Sequence, residues 1–363
     1  MIQRYLAANM ISSLSISQAD AVNLAKAYDV ISAEPRQFGA DLPAMRAANP
    51  NLIVLGYMNG TFTSANPGPS VPVSWYLHDN NGHTITSVGY GNHLMDPTNP
   101  GWIANRQASC TQLIASGYDG CLVDMLGTAP LIPHYLTGLP VDPATGVTYT
   151  TASWVAATAR LSAAIAMSVA PRVVVGNGLV DGTRYFDPTA PTAQLLDGLS
   201  GAMGESWLKG PRADSSYPTP SHWKQNVDAL VDAGRRGRSV VALTKTWGSG
   251  TAAQKDAWHV FALASFLLGT DGRSYFSFSS ANTTGGTAYD SPWEHADVGQ
   301  PTGAYTRNSD GSYQRLFTTG EAMVNPTPAT VTLTPPQAMC DLNGIMRSRV
   351  TLGPDGAQVL TSC

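Results

Sequence analysis

Short runs of branched and aliphatic residues alternate with longer stretches of helical period along the first three quarters of the chain. Ile2–Ala7 reads as a strand, followed by a helix that Ser17 opens as N-cap and that runs through Ala27. Val30–Ala33 is a second strand, Phe38–Ala48 a second helix, and Leu52–Tyr57 a third strand of the buried, β-branched type. A long interruption, Asn59 to Gly101, is rich in Pro, Asn, Gly and His, and loops of this length inside compact domains usually carry function. The alternation then resumes with a helix at Trp102–Ser116, a strand at Gly120–Asp124, a helix at Thr151–Val169 and a strand at Arg172–Gly176. A short helix at Ala193–Leu196 leads to the strand Leu199–Glu205. His222–Gly234 (helix), Ser239–Thr246 (strand), Ala252–Leu268 (helix) and Arg273–Phe278 (strand) complete the series. Eight strands in strict alternation with helices predict a parallel sheet, and eight units is the number that closes a (β/α)8 TIM barrel. A doubly wound open sheet is the alternative, but no GxGxxG follows the first strand.

From about Gly303 the texture changes. Ser312–Phe317, Ala322–Asn325, Thr330–Leu333, Arg347–Leu352 and Gln358–Leu360 read as short strands split by Gly, Pro and Asp turns. The expected organisation is a barrel over residues 1–302, with the long loop 59–101, and a small antiparallel β-sandwich over 303–363.

Composition narrows the classes. With 363 residues, 43% of them hydrophobic, the chain buries a large core and is not disordered. A net charge of −4, with Arg235-Arg236-Gly237-Arg238 as the largest basic run, argues against nucleic acid as a partner. No stretch approaches the ~18–20 apolar residues of a membrane span; the best, Trp258–Leu268, contains His259 and Ser265. Met1–Tyr5 lacks the apolar core of a secretory leader, so either the protein is cytoplasmic or a leader has been removed. Few Lys and Glu, many Ala, Gly, Thr, Ser and Pro, and an even cysteine count favour an exported protein, and the Lys-poor composition suggests a GC-rich bacterial genome. The four cysteines allow three pairings, of which Cys110–Cys121 and Cys340–Cys363 are the local ones; free buried thiols are the alternative. Neither pair has the CxxC spacing of a zinc or redox site.

In a barrel of this kind the chemistry sits at the C-terminal ends of the strands. Those ends carry Tyr57 and Asn59, Asp124, Asn177, Glu205, Lys245 and Trp247, with Tyr275 near the end of the eighth. Side chains alternate along a strand, so Leu122 and Asp124 share one face and Cys121 and Val123 the other. If Asp124 points into the barrel mouth, Cys121 points at the preceding helix, which carries Cys110. One orientation therefore serves both a disulfide and a reactive carboxylate.

Paired carboxylates serve glycoside hydrolysis, one attacking or stabilising the oxocarbenium-like centre while the other protonates the leaving oxygen. The competing reading of either acid is a salt-bridged or helix-capping carboxylate. Trp207, Trp247 and Trp293 are candidates for stacking on sugar faces, whereas Trp102, Trp154, Trp223 and Trp258 lie within helical patterns and read as core. His78, with His83 and His93, sits in the long loop within reach of a substrate hydroxyl, and Asn177 and Lys245 are placed to bind hydroxyls or tune Asp124. Asp119, at the bottom of its strand, reads as a turn residue. No GxSxG, P-loop, HExxH or EF-hand pattern occurs, so no cofactor and no metal are expected.

The run Tyr118-Asp119-Gly120-Cys121-Leu122-Val123-Asp124 resembles the DG-x-x-x-D strand of several barrel glycosidases. It departs from the chitinase signature DGxDxDxE, because Leu122 and Leu126 stand where that signature needs its middle Asp and catalytic Glu. An acid on strand four and another on strand six resembles the retaining α-galactosidase arrangement, which implies Asp124 as nucleophile and Glu205 as general acid/base. Together with Asn177-Gly178 and Gly204-Glu205-Ser206, the barrel is similar to the hypothetical glycosyl hydrolases of the family-15-like group. That resemblance implies a glycoside hydrolase acting on an oligosaccharide or a polysaccharide. Cysteine count and composition, not the resemblance, add a secreted or cell-surface setting and, for a GC-rich bacterial source, a cell-wall polysaccharide such as galactofuranan or arabinan among the candidate substrates. The alternatives are a non-catalytic carbohydrate-binding barrel and a structural wall protein.

Overall fold

The computed structural model describes residues 2–10, 16–69, 71–210, 216–246, 250–279 and 291–363. Eight parallel strands pair in chain order: β1 (Tyr5–Ala7), β2 (Val30–Ala33), β3 (Ile53–Asn59), β4 (Gly120–Asp124), β5 (Val173–Asn177), β6 (Gly201–Gly204), β7 (Ser239–Lys245) and β8 (Tyr275–Ser279). A parallel bridge between Arg4 and Phe276 brings β8 back to β1, so the sheet is the expected (β/α)8 barrel. The helices around it are α1 (Gln18–Ala27), α2 (Pro35–Phe38), α3 (Leu42–Ala48), α4 (Pro100–Ala115), α5 (Thr151–Ser168), α6 (Gly182–Tyr185), α7 (Pro220–Arg235) and α8 (Ala252–Gly269). Ser17 caps α1 by accepting from the Asp20 N–H. Thr150 and Thr251 form capping boxes at α5 and α8, each satisfying two orphan donors.

The single helix expected over Phe38–Ala48 is two. Pro43 lacks an N–H and clashes with a preceding turn, so a helix can carry it only at its start; the chain breaks after Phe38 and begins again at Leu42.

The stagger of the strands sets the height of each side chain in the mouth. Parallel register runs from Asn59 to Asp124, on to Asn177, Met203, Val241 and Tyr275, and through β1 and β2 back to β3 at Asn51, eight residues before its start. That is the shear of eight typical of this barrel, so a level layer climbs about one residue per strand. Within a residue of the level of Asp124, the inward-facing positions are therefore Asn177, Glu205, Lys245 and Ser279. Tyr275 falls four residues below it, roughly 13 Å at ~3.3 Å per residue.

Below the mouth the barrel is filled by Tyr5, Val30, Leu55, Leu122, Val175, Met203, Val241 and Leu243. The opposite strand faces join the helix layer, and Trp102, Trp154, Trp223 and Trp258 are all buried, as their helical setting implied. Beyond residue 303, a six-stranded and a two-stranded antiparallel sheet enclose Met323, Val331, Leu333, Met339, Val350, Leu352 and Leu360. The other face of the larger sheet packs on α8 and shares the barrel's outer core through Tyr313, Phe317, Ala322, Val324 and Val359. Disulfides join Cys110 to Cys121 and Cys340 to Cys363. Among the described residues no helix is long and apolar enough to cross a membrane.

Candidate active site

The ends of β3 to β7 gather one connected polar cluster. Asp124 Oδ2 accepts from the Tyr57 hydroxyl at 2.8 Å. Its Oδ1 accepts from the Met125 N–H at 2.7 Å and from Asn177 Nδ2 at 2.8 Å. The same Asn177 nitrogen donates to Glu205 Oε2 at 2.6 Å, and Lys245 Nζ donates to Glu205 Oε1 at 2.5 Å. Lys245 is buried while the Glu205 side chain is 37% exposed, so the acid, not the ammonium, meets solvent.

Burial, and then the neighbouring charge of Glu205, push the Asp124 carboxyl above its usual range; the Tyr57, Met125 and Asn177 donors pull the other way. Burial and the adjacent Asp124 push the Tyr57 hydroxyl well up, so it stays a donor. Three donors on one carboxylate offset much of what burying it costs.

Local sequence explains this convergence. A Cβ at Gly120 would lie 1.8 Å from Val173 O, so the glycine of the DG-x-x-x-D run is what lets β4 and β5 pair. A Cβ at Gly178 would lie 2.6 Å from the Leu126 backbone, so the glycine after Asn177 lets the two loops close. The Asn177 carbonyl then accepts the Leu126 N–H at 2.9 Å. Two non-glycine residues hold left-handed backbone beside these acids, Met125 (φ +60°) and Val180 (φ +67°), each at a cost of about 1–3 kcal/mol. Met125 turns its N–H onto Asp124, and Val180 O accepts the Ser206 N–H at 3.1 Å, fixing the turn that carries Glu205.

Cys121 and Val123 face the helix layer while Leu122 fills the barrel, the alternation that puts Asp124 in the mouth. Asp119 lies at the bottom of β4, where it accepts the Val54 N–H at 2.8 Å and pairs with Arg46 at 3.0 Å. Asn59 reaches the mouth, but its Oδ1 accepts the N–H groups of Thr61 and Phe62, opening the long loop.

Other candidates lie elsewhere. Trp207 is 1% exposed, its Nε1 donates to Asn226 O at 2.8 Å and its ring meets Phe266 edge-on, so it offers no face to a sugar. The strand ends at Gly204 and the following turn throws the indole into the helix layer. Tyr275 faces inward at the opposite end of the barrel, its ring 6.5 Å from that of Tyr5, because the shear drops β8 below the mouth. Trp293 packs toward His259 of α8 and lines a groove with Asp341, Arg347 and Gln358 of the C-terminal sheets, away from the carboxylates. His78 pairs through its backbone with Thr84 and Val141, and among the described residues no hydrogen bond joins it to the cluster. His83 is held by Asp79, and His93 stacks on Tyr76. Trp247 lies outside the described residues.

One neighbour was missed. Tyr135, in the loop from Met125 to Thr150 between β4 and α5, sits beside the cluster, its hydroxyl 3.9 Å from Met125 Sδ. The length of that loop was a signal of the same kind as the long loop after β3.

A (β/α)8 barrel with carboxylates converging at the C-terminal ends of its strands is the build of a glycoside hydrolase, and comparison with known proteins assigns the chain to that class. The model of the hypothetical glycosyl hydrolase family 15 matches residues 46–321, so the chain belongs to that family. No curated protein sequence matches the chain. Among solved structures, Amy13B from Eubacterium rectale aligns with a TM-score of 0.57 at 10% identity, covering 100% of this chain and 94% of its own. The noncanonic maltogenic alpha-amylase AmyB from Thermotoga neapolitana aligns at 0.54 and 11%, covering 99% and 98%. The alpha-amylase GTA from Geobacillus thermoleovorans aligns at 0.53 and 9%, covering 99% and 97%. At such identities the likeness is one of fold.

Proposed function

We propose that this glycoside hydrolase cleaves an oligosaccharide or polysaccharide with retention, Asp124 acting as nucleophile and Glu205 as general acid/base. The observation that carries the reading is the shared donor Asn177. Its two hydrogen bonds leave the bound oxygens of the two acids no more than about 5.4 Å apart. Retaining enzymes hold their carboxyl groups ~5–5.5 Å apart, inverting ones ~6.5–9.5 Å. Asp124 lies deep, compensated by three donors and, among the described residues, no cation, where a carboxylate attacks the anomeric carbon. Glu205 meets solvent, as a group must that protonates a departing hydroxyl and then activates water. Asn177 and Lys245 hold the pair in place; Tyr57 steadies the nucleophile.

The Lys245–Glu205 contact and the upward push on Asp124 favour the exchanged roles, with Glu205 as nucleophile. Azide separates the two. After a polysaccharide and aryl-glycoside screen, Asp124→Ala and Glu205→Ala are each assayed on the best aryl glycoside with added azide. The proposed roles require an azide product of inverted configuration from Asp124→Ala and of retained configuration from Glu205→Ala. The opposite pattern exchanges the roles, and a wild type that binds sugars without cutting any makes the chain a carbohydrate-binding barrel. Two disulfides support export, with the boundary to the C-terminal sheets near residue 302.

A further inference from the structure

The two long loops above the carboxylates are built into one another. Val88 N donates to Tyr135 O at 2.9 Å, Thr137 N to Thr86 O at 2.9 Å, and Ser87 bridges to Leu136. Phe62, from the loop after β3, meets Tyr135 edge-on with ring centroids 6.0 Å apart. Next to Tyr135, His134 takes a left-handed backbone (φ +65°), and Tyr135 N closes a turn on Ile132 O at 3.0 Å. The result keeps the ring half-buried, with its hydroxyl near Met125, the residue that follows Asp124.

On the segment bonded to Tyr135, Gly91 N closes a turn on Ser87 O at 2.8 Å, and that turn carries Tyr90. Tyr90 is 73% exposed, with Val88 and Ile132 exposed on the same pair of segments. Burial, followed by the charges of Tyr90, Asp124 and Glu205, pushes the Tyr135 hydroxyl up to about 12. Two tyrosines on hydrogen-bonded segments, one with its hydroxyl near Met125 and one on an exposed turn, present the apolar faces and hydroxyl edges that linked sugar rings match.

We propose that Tyr135 and Tyr90 form a stacking rail for the saccharide chain beyond the scissile bond, Tyr135 holding the nearer ring and Tyr90 the next. The inference deepens the glycosidase reading and rests on it: the enzyme then prefers chains of several units over a single glycoside.

The test is calorimetric binding to Asp124→Asn protein of gluco-, galacto-, glucosamine and galactosamine oligomers of one to six units. Affinity is expected to rise with length for at least one series. Tyr90→Ala is expected to weaken the longer oligomers about three- to tenfold without changing the monosaccharide, while Tyr135→Ala weakens everything from the dimer upward and Tyr135→Phe does not. A rise with length that survives both alanine variants overturns the rail. So does the absence of any rise in all four series, and in that case hydrolysis of an aryl monosaccharide by the wild type would leave the glycosidase reading standing.

Discussion

Asp124 and Glu205 share one hydrogen-bond donor: the Asn177 amide nitrogen lies 2.8 Å from the first and 2.6 Å from the second. Each acid uses one of its two N–H groups, so the amide sets the spacing of the pair and shields each charge from the other. Replacing it by Ala removes the one donor that the two neighbouring carboxylates share. Asn177→Ala should lower kcat/KM about 10²–10³-fold, the scale of losing one preorganised donor, with little change in melting temperature. Steady-state kinetics beside a thermal melt check this. A loss below threefold would mean that Asn177 does not organise the pair.

The Tyr57 hydroxyl donates to Asp124 and so favours its ionised form. In Tyr57→Phe that support is gone, and the carboxyl, already pushed up by burial, holds its proton to still higher pH. A nucleophile must be ionised, so the acidic limb of kcat/KM against pH should move upward, and activity should fall more at pH 5 than at pH 8. A limb that moves downward, or stays fixed, would remove Asp124 from the ionisation that controls the rate.

What the sequence made legible followed from period and parity. Alternation along Gly120–Asp124 correctly put Cys121 against Cys110 and Asp124 in the mouth, because a strand's two faces are settled by counting. Helix starts were readable where a cap advertised itself, as at Ser17, and less so where a proline did, as at Pro35 and Pro43. Height within the barrel was not readable. Tyr275 and Asp124 occupy one register row, and only the shear, a property of the closed sheet, sets them about four residues apart in height. Trp207 failed for a related reason: parity holds only while the strand lasts, and β6 stops at Gly204. Tyr135 was hidden because its proximity to Asp124 depends on two loops folding against each other, which no local pattern records.

The Cys110–Cys121 disulfide ties α4 to β4 three residues before Asp124, and both cysteines are fully buried. Removing it with Cys110→Ala and Cys121→Ala should destabilise the protein by about 2–4 kcal/mol, visible as a lower melting temperature. Since β4 is also held by pairing with β3 and β5, kcat well below the melt should change by less than threefold. A large loss of kcat in a protein still folded at the assay temperature would instead make the bond a positioning element of the site.

Glu321 lies in the central part of the six-stranded C-terminal sheet, between Leu316 and Leu360, and is 1% exposed. Neither of its carboxylate oxygens has a hydrogen-bond partner among the described residues. Burial pushes its carboxyl from an ordinary value of 4.5 up to about 7. Between those two values the unfolded chain gives up this proton while the folded chain keeps it, so unfolding releases a proton and stability falls as pH rises. The stabilising effect of the neutral form is therefore complete below about pH 4.5, fades through the interval and is gone above about pH 7. Glu321→Gln, isosteric and never charged, should melt higher than the wild type at pH 8 and close to it at pH 4.5. Thermal melts of both proteins across that range decide the matter, and a difference that stays constant with pH would mean that Glu321 does not titrate on unfolding.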